Sequence, residues 1–580
     1  MLNDSSELEK GDGIDYNPSK RPKNRQMTIL PDPSTIISFS TDDPDNPYNW
    51  SQSRKLSIVV LGVSDVMDHF SGVLQERPSR VSIHPDILAN GQYTLPSTRK
   101  EVDADSLNYF RSLVVINSTI SSSLPSLAST QLQTHFNVQN NFQLVLPNSI
   151  FLVGYIFGPM LWAPLSENYG RRYIIICTYL SFTMWMLASA LAPNWTGFLF
   201  FRFLTGFFGS TPISLTGGLF ADILENPVWR GRSIAWFMAL ASFGPALAPI
   251  PSGYLARYSW RWPFWFGTIF AGVCAVPLLF LPETYGPRIL LLKARKMRKE
   301  GRGNVHAELE KKHTSTKQLF TQVLGRPLRM MLAEPIVSAC CLYLSLIYAI
   351  QFMLFQSYSV VFPPIYGFGP GQTGLAFLAI ALGNLPIALL FVLWWDGYLR
   401  RAKAASKEWA CKEEYQRLPL AILGGPLFAA GLFWIGWGAR KDVHWIVPIL
   451  GGLPLGIGFV LIFVALANYI VDSYTTLSAS ALGGTSIARS TFGVVLPFAA
   501  RPMYETLGVA WACSLLGFFG FACCLIPFAF IKYGPALRAR SKIRQGIANT
   551  KAAKSEASVP SDEEAVHIEA KEEDGMEHRT

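Results

Sequence analysis

From residue 144 to residue 531 the chain alternates long apolar runs with short polar breaks. A helix that crosses the hydrocarbon core of a bilayer needs about 20 apolar residues. Eleven runs meet that length, at 144–165, 173–192, 197–220, 233–256, 263–282, 336–356, 372–394, 419–438, 445–471, 477–499 and 508–531. A twelfth is split. Leu56–Gly62 (LSIVVLG) begins an apolar run that stops, and Ser112–Ala128 (SLVVINSTISSSLPSLA) reads as its continuation. Between them lies a polar block, 63–111, carrying Asp65, Asp68, Glu76, Arg77, Arg80, Asp103 and Asp105. The block is either a loop replacing the middle of the first helix or a translated intron. We favour the intron, because Val63-Ser64-Asp65 can be encoded by a splice-donor-like stretch and Ala104-Asp105 by a branch-point-like one. Transcript reads that retain the block as the dominant message would refute it.

Composition agrees with the pattern. Only 16% of the 580 residues are charged, against about 25% in soluble domains. Half are hydrophobic, 13% are aromatic, and the mean hydropathy is +0.25. The expected fold is therefore an all-α polytopic membrane protein, with twelve transmembrane helices in two six-helix bundles. The expected organisation is a disordered tail (1–55), a first bundle (56–282, with the 63–111 insertion), a central loop (283–335), a second bundle (336–531) and a disordered tail (532–580). Seven of the eight cysteines fall inside apolar runs and none forms a C-x-x-C pair, so packing rather than disulfide or zinc chemistry is expected of them. No secretory signal is expected, since the first apolar run follows more than fifty polar residues.

Charge placement orients the spans. The central loop holds twelve basic and five acidic residues, which supplies +7 of the net +10. The 394–418 loop is also basic, with Arg400, Arg401, Lys403, Lys407, Lys412 and Arg417, whereas 193–197 and 362–371 carry no charge. By the positive-inside rule both termini and the central loop are expected in the cytosol, and no nucleic-acid partner is needed to explain the basic balance. Asn194-Trp195-Thr196 is a glycosylation sequon in a loop too short for use.

The two halves repeat. Glu167-Asn-Tyr-Gly-Arg171-Arg172 follows the second span and Asp396-Gly-Tyr-Leu-Arg400-Arg401 follows the eighth; Asp222 closes the fourth and Asp472 the tenth. Parallel halves place a substrate site between them near the midplane, open alternately to each side. The run from Gly158 to Arg172 (GPMLWAPLSENYGRR) resembles motif A of the major facilitator superfamily, in the form used by fungal drug:H+ antiporters with twelve spans, the polyamine-transporter-like and fluconazole-resistance-like group. Asp45–Trp50, Arg202–Gly206, Asp222 with Arg230–Arg232, Pro282–Tyr285, Glu334–Val337, Arg417–Leu420, His444–Pro448 and Arg489–Gly493 extend the resemblance over about 45–62 and 112–540. One departure concerns motif C, which here reads Gly244-Pro245 through Pro249 to Gly253, with Ala248 and Ser252 where glycines are usual.

The resemblance implies a gating role for Glu167, Arg171 and Arg172, with Asp222 as partner. It also implies proton coupling through Arg202, the motif B arginine. An arginine inside a span is costly unless it faces a cavity or a partner, so Arg202 and Arg489 are expected to line the aqueous pathway. No carboxylate lies mid-span; Asp222, Glu225, Asp472 and Glu167 are the titratable candidates, Asp222 foremost. Uncharged polar groups within spans, namely Asn117, Asn148, Tyr348, Gln351, Gln356, Asn384 and Asn468, are the substrate-cavity candidates. The expected function is proton-coupled export of small amphipathic molecules (a drug, toxin or secondary metabolite). Nutrient or polyamine uptake, and a transporter-like sensor or scaffold, stand as alternatives. No cofactor beyond the proton gradient, no metal and no enzymatic activity are expected. A monomer in the plasma membrane is.

Overall fold

The computed structural model describes residues 46–47, 50, 104–223, 227–301, 306–311, 325–474 and 477–540. Among these, twelve long helical segments, α1 to α12, follow one another up and down. The first half holds α1 (Ala104–Ser123), α2 (Leu146–Tyr169), α3 (Arg171–Ala190), α4 (Trp195–Gly209, continued by Thr211–Ile223), α5 (Pro227–Leu247, continued by Pro249–Leu255) and α6 (Trp262–Leu278). The second holds α7 (Pro335–Tyr366), α8 (Pro370–Ala376 through Ala388–Ala404), α9 (Glu413–Gly438), α10 (Ile446–Leu450, continued by Gly452–Ser473) and α11 (from Ser478), with α12 ending at Arg540. Gly508 (φ 72°) separates the last two, so α11 runs to about 507 and α12 starts at 509. Nine helical stretches among the described residues are long and apolar enough to span a membrane, and the stretch Ser480–Ala539 holds both α11 and α12.

The breaks have local causes. Proline lacks an N–H and clashes with the preceding turn, which accounts for the interruption of α5 at Pro249 and the end of α1 just before Pro125. In α8 the segment Gly383–Ile387, with Pro386 inside it, is wound as a π-helix. Asn194, the sequon residue, caps α4: its Oδ1 accepts the Gly197 N–H at 2.7 Å.

Three of the expected domain limits differ in the structure. Residues 104–111, assigned above to the polar block, form the first two turns of α1, where Leu107, Phe110 and Val114 recur at helical spacing. The remainder of the proposed split span, 51–103, lies outside the described residues. Trp50, within the stretch expected to be disordered, is buried in the first-half core, where a large indole gains most from leaving water. The helix of α12 also continues nine residues into the expected tail, held there by an ion pair between Arg538 and Glu414; the tail 541–580 lies outside the described residues.

Each half has its own core, around Leu124, Tyr179, Phe182, Phe198 and Phe264 in the first and Tyr343, Phe355, Phe428 and Tyr469 in the second. Phe151, Leu152 and Tyr155 of α2, with Ala235, Ala239 and Ala246 of α5, belong to the second core instead. So α2 and α5 bridge the halves. α2 packs on α11 and α5 on α8, and adding six to one helix of either pair gives the partner in the other, as a repeat with a two-fold axis requires. The outer surface is apolar: Met184, Phe200, Val276, Phe280, Trp511, Phe518 and Phe521 are all exposed. A patch of that extent suits lipid rather than water. The chain is a multi-pass membrane protein.

Candidate functional site

The two ends of the bundle differ in charge, and we call them the basic and the neutral face. At the basic face the motif A residues are divided between helices. Glu167 sits in the last turn of α2 and is exposed, while Arg171 and Arg172 open α3. Arg171 donates from Nε to Asp222 Oδ2 at 2.5 Å, and its guanidinium lies 5.4 Å from the Tyr285 ring centre. Arg172 donates to the Leu279 carbonyl at the end of α6 (3.3 Å). The second half contains the counterpart: Arg417 at the start of α9 donates to Asp472 at the end of α10 (2.8 Å). The structural equivalent of Arg171 is thus Arg417, not Arg400 as the sequence repeat implies. The repeat misleads because Arg400 continues α8, one turn beyond Asp396, instead of starting a helix.

Both of those pairs lie within one half. The bridge between the halves is made by Arg232 of α5, whose Nε reaches Asp396 Oδ2 of α8 at 2.7 Å. Asp396, which the sequence sets only as the counterpart of Glu167 in the repeat, therefore joins the two bundles. Gly231 beside it leaves room for the Arg417 guanidinium, whose nitrogens lie 3.1 Å from where a Cβ would stand.

The corner between α2 and α3 depends on Glu283, which sequence reasoning counted only within a motif. Its Oε1 accepts the Arg171 N–H at 3.0 Å and the Thr284 and Tyr285 N–H groups at 3.0 and 3.1 Å. A carboxylate at a helix N-terminus satisfies orphan donors and meets the positive end of the helix dipole. Gly170 permits this, because its φ is +95° and a Cβ there would collide with the Glu283 carboxylate. Gly170→Ala is expected to cost about 1–3 kcal/mol from the backbone alone, read as a lower melting temperature of the purified protein. An unchanged melting temperature would show that the corner tolerates another path.

Between the halves lies a cavity of about 30 Å³, room for roughly two water molecules. Its first-half wall is Thr119 and Ser122 of α1, Tyr155 of α2, Ile213 of α4, and Met238, Ala241, Ser242 and Pro245 of α5. Tyr348, Gln351 and Phe352 of α7, Phe459 and Phe463 of α10, and Arg489 of α11 form the other wall. Of the sequence candidates, Tyr348, Gln351 and Arg489 come together here. Neither amide atom of Gln351 has a protein partner, although the side chain is buried, and Nε of Arg489 is likewise unpaired. The Arg489 guanidinium stacks at 5.2 Å on Tyr348 and 5.7 Å on Phe463.

The other candidates lie elsewhere. Arg202 is fully buried in the first half and lines no part of this cavity. It donates to the Pro147 and Ser121 carbonyls (3.2 and 2.9 Å) and faces the Phe151 and Phe264 rings (4.7 and 5.7 Å). Carbonyl dipoles and ring faces can hold a cation without a carboxylate, and they meet part of its cost here, while its Nη1 is buried with no hydrogen-bond partner among the described residues. Asn117 donates to Tyr179 Oη (3.1 Å), Asn468 to the Val464 carbonyl of its own helix (3.0 Å), and Asn384 to the Ser242 carbonyl (3.0 Å), which ties α8 to α5. Asn148 is buried near the neutral end of α2, and Gln356 is not part of the lining either. Asp472 is occupied by Arg417, away from the cavity. The polar residues that sequence reading passed over, Thr119, Ser122, Tyr155 and Ser242, were hidden by their ordinariness; the i, i+3 spacing of Thr119 and Ser122 is the one available signal.

Motif C closes the neutral face and binds α1 to α5. A Cβ on Gly244 would stand 2.9 Å from the Ile116 carbonyl, and one on Gly253 would meet the backbone of Pro370 at the start of α8. Opposite, a Cβ on Gly374 of α8 would be 2.5 Å from the Pro249 carbonyl. Ser252, in place of a glycine, donates to the Leu124 carbonyl (2.5 Å), and Ser123 donates to the Pro245 carbonyl (2.8 Å).

Two equivalent helical bundles around a central cavity, in contact at both faces, define a membrane carrier. The chain belongs to the major facilitator superfamily, whose family model matches residues 112–497. It is a transporter and not an enzyme. It is 36% identical over 479 residues to "Efflux pump FUBT" of Fusarium oxysporum, covering 82% of this chain and 79% of that one. It is also 36% identical over 531 residues to "MFS-type transporter oryN" of Aspergillus oryzae (91% and 93% covered). With the "Major facilitator superfamily multidrug transporter mdrA" of Aspergillus fumigatus it shares 35% identity over 437 residues (74% and 71%). Among solved structures, a partially occluded inward-open form of the xylose transporter XylE from E. coli has the same fold, with a TM-score of 0.54 at 18% identity, over 74% of this chain and 97% of that one.

Proposed function

We propose that this transporter is a proton-coupled antiporter that exports small amphipathic organic molecules by alternating access. Its basic face and both termini would lie in the cytosol of a cell whose plasma membrane holds the protein as a monomer. The observation that carries this reading is the cavity: aromatic rings for an apolar body, a few polar groups without partners, and helices from both halves around it. Relatives named efflux pumps and a multidrug transporter support the direction of transport. Asp222 is the carboxylate proposed to carry the proton. It is held by Arg171 of the same half here, and a rearrangement within that half that loosens the pair during the cycle would raise its proton affinity. The proton gradient is the only energy source the reading requires.

The test is substrate accumulation in an efflux-deficient host expressing the full chain, with and without a protonophore. Lower accumulation that is abolished by the protonophore is expected, and Asp222→Asn should remove the dependence on the gradient. Export that survives collapse of the gradient would refute proton coupling.

A further inference from the structure

We propose that the central cavity selects organic anions, amphipathic molecules with an aromatic or apolar body and a carboxylate or comparable acidic group. The proposal rests on the export reading for the existence of transport, but on side chains alone for the chemistry. Among the described residues that line the cavity, Arg489 is the one charged side chain and none is a carboxylate. Within hydrogen-bonding reach of a protein acceptor the guanidinium has only Ser486 Oγ, at the outer limit of 3.5 Å, and its Nε has no protein partner. In this closed form its charge is met by the faces of Tyr348 and Phe463, a weaker arrangement than a paired anion offers.

Gln351, one turn beyond Tyr348 on α7, is 4% exposed and leaves both amide atoms without protein partners. Desolvated donors of this kind cost free energy until a ligand satisfies them. The Gln351 Nε2 and the Arg489 fork together offer several N–H groups to one carboxylate, while Phe352 and Phe459 supply flat apolar walls for a ring. A cationic ligand would bring a second positive charge beside Arg489 with no acid in the lining to offset it. A neutral ligand would satisfy the amide and leave the guanidinium unused. Because the cavity holds about 30 Å³ when closed, such a ligand enters only as the halves separate.

The experiment uses the full chain in lipid nanodiscs and three probes of one shape: 2-naphthoate, 2-naphthalenemethanol and 2-naphthylmethylammonium, each radiolabelled, with binding read by scintillation proximity. The carboxylate is expected to bind about tenfold or more tighter than the ammonium, as one charge-assisted pair provides. In Arg489→Gln the ratio of carboxylate to alcohol affinity should fall by a similar factor, and Arg489→Lys should restore part of it. Equal binding of the three probes, preference for the ammonium, or no binding of any would overturn the proposal. The wild-type ratios decide this even if the glutamine variant does not fold. The same probes in the accumulation assay separate the two readings: anion preference without export keeps the site and removes the exporter, whereas export without preference does the reverse.

Discussion

Asp396→Asn is expected to open the basic face. In the closed structure Arg232 and Asp396 join α5 to α8 across the two halves, with side chains only 15% and 23% exposed. Losing a charge-assisted bond that sheltered is worth about 1.5–3 kcal/mol, which moves a two-state population about tenfold or more toward the separated form. Spin labels replacing Tyr173 and Lys403, exposed positions on the two halves, should then report a longer distance. Transport should slow, because return to the form closed at this face has lost its latch. Exchanging the two charges, Arg232→Asp with Asp396→Arg, should recover most of the short distance. If the distance distribution of Asp396→Asn matches that of the wild type, the latch lies in other contacts.

Gly253→Val should do the opposite at the other end. A side chain there would meet Pro370 of α8, whose carbonyl carbon lies 2.7 Å from the Cβ position. Backbone cannot yield as a flexible side chain can, and overpacking of a tight site costs about 1–3 kcal/mol or more. The halves would be wedged apart at the neutral face, so labels replacing Tyr258 and Asp442 should move apart and transport should fall to near background. An unchanged distance, or transport at the wild-type rate, would show that α5 and α8 need not approach this closely during the cycle. In Asp396→Asn the barrier between the forms remains crossable; here one form is sterically removed.

Most of the fold is legible in the sequence because the bilayer imposes one length on every span. All eleven apolar runs are helices, and several helices outrun them: α2, α8 and α12 at the basic face, through charged turns such as Asp396–Arg401, and α7 and α11 at the neutral face, to Tyr366 and about residue 507. The site is less legible, because depth in a span does not tell which way a side chain points. Arg202 and Arg489 look alike in sequence. One is sealed among carbonyls and rings, and the other reaches the cavity. The asparagines Asn117, Asn384 and Asn468 satisfy their amide donors within the protein, which a hydropathy pattern does not encode. Motif A showed where charge would cluster but not that the inter-half contact would pass to Arg232, since that pairing depends on how α5 meets α8.

The serine in motif C has a broader consequence. With Ser252 and Ser123 exchanging hydrogen bonds between α1 and α5, and Gly244 letting the two backbones nearly touch, the wall bearing Thr119, Ser122, Met238 and Ser242 is a stiff jaw. The facing jaw, Tyr348, Phe352, Phe459 and Phe463, is made of rings that meet at tilted angles and make no hydrogen bonds to one another, so no such polar tie fixes it. Tolerance for differently shaped cargo would then come from one side of the molecule alone. Attempts to redirect the carrier toward a new compound should begin with α7 and α10.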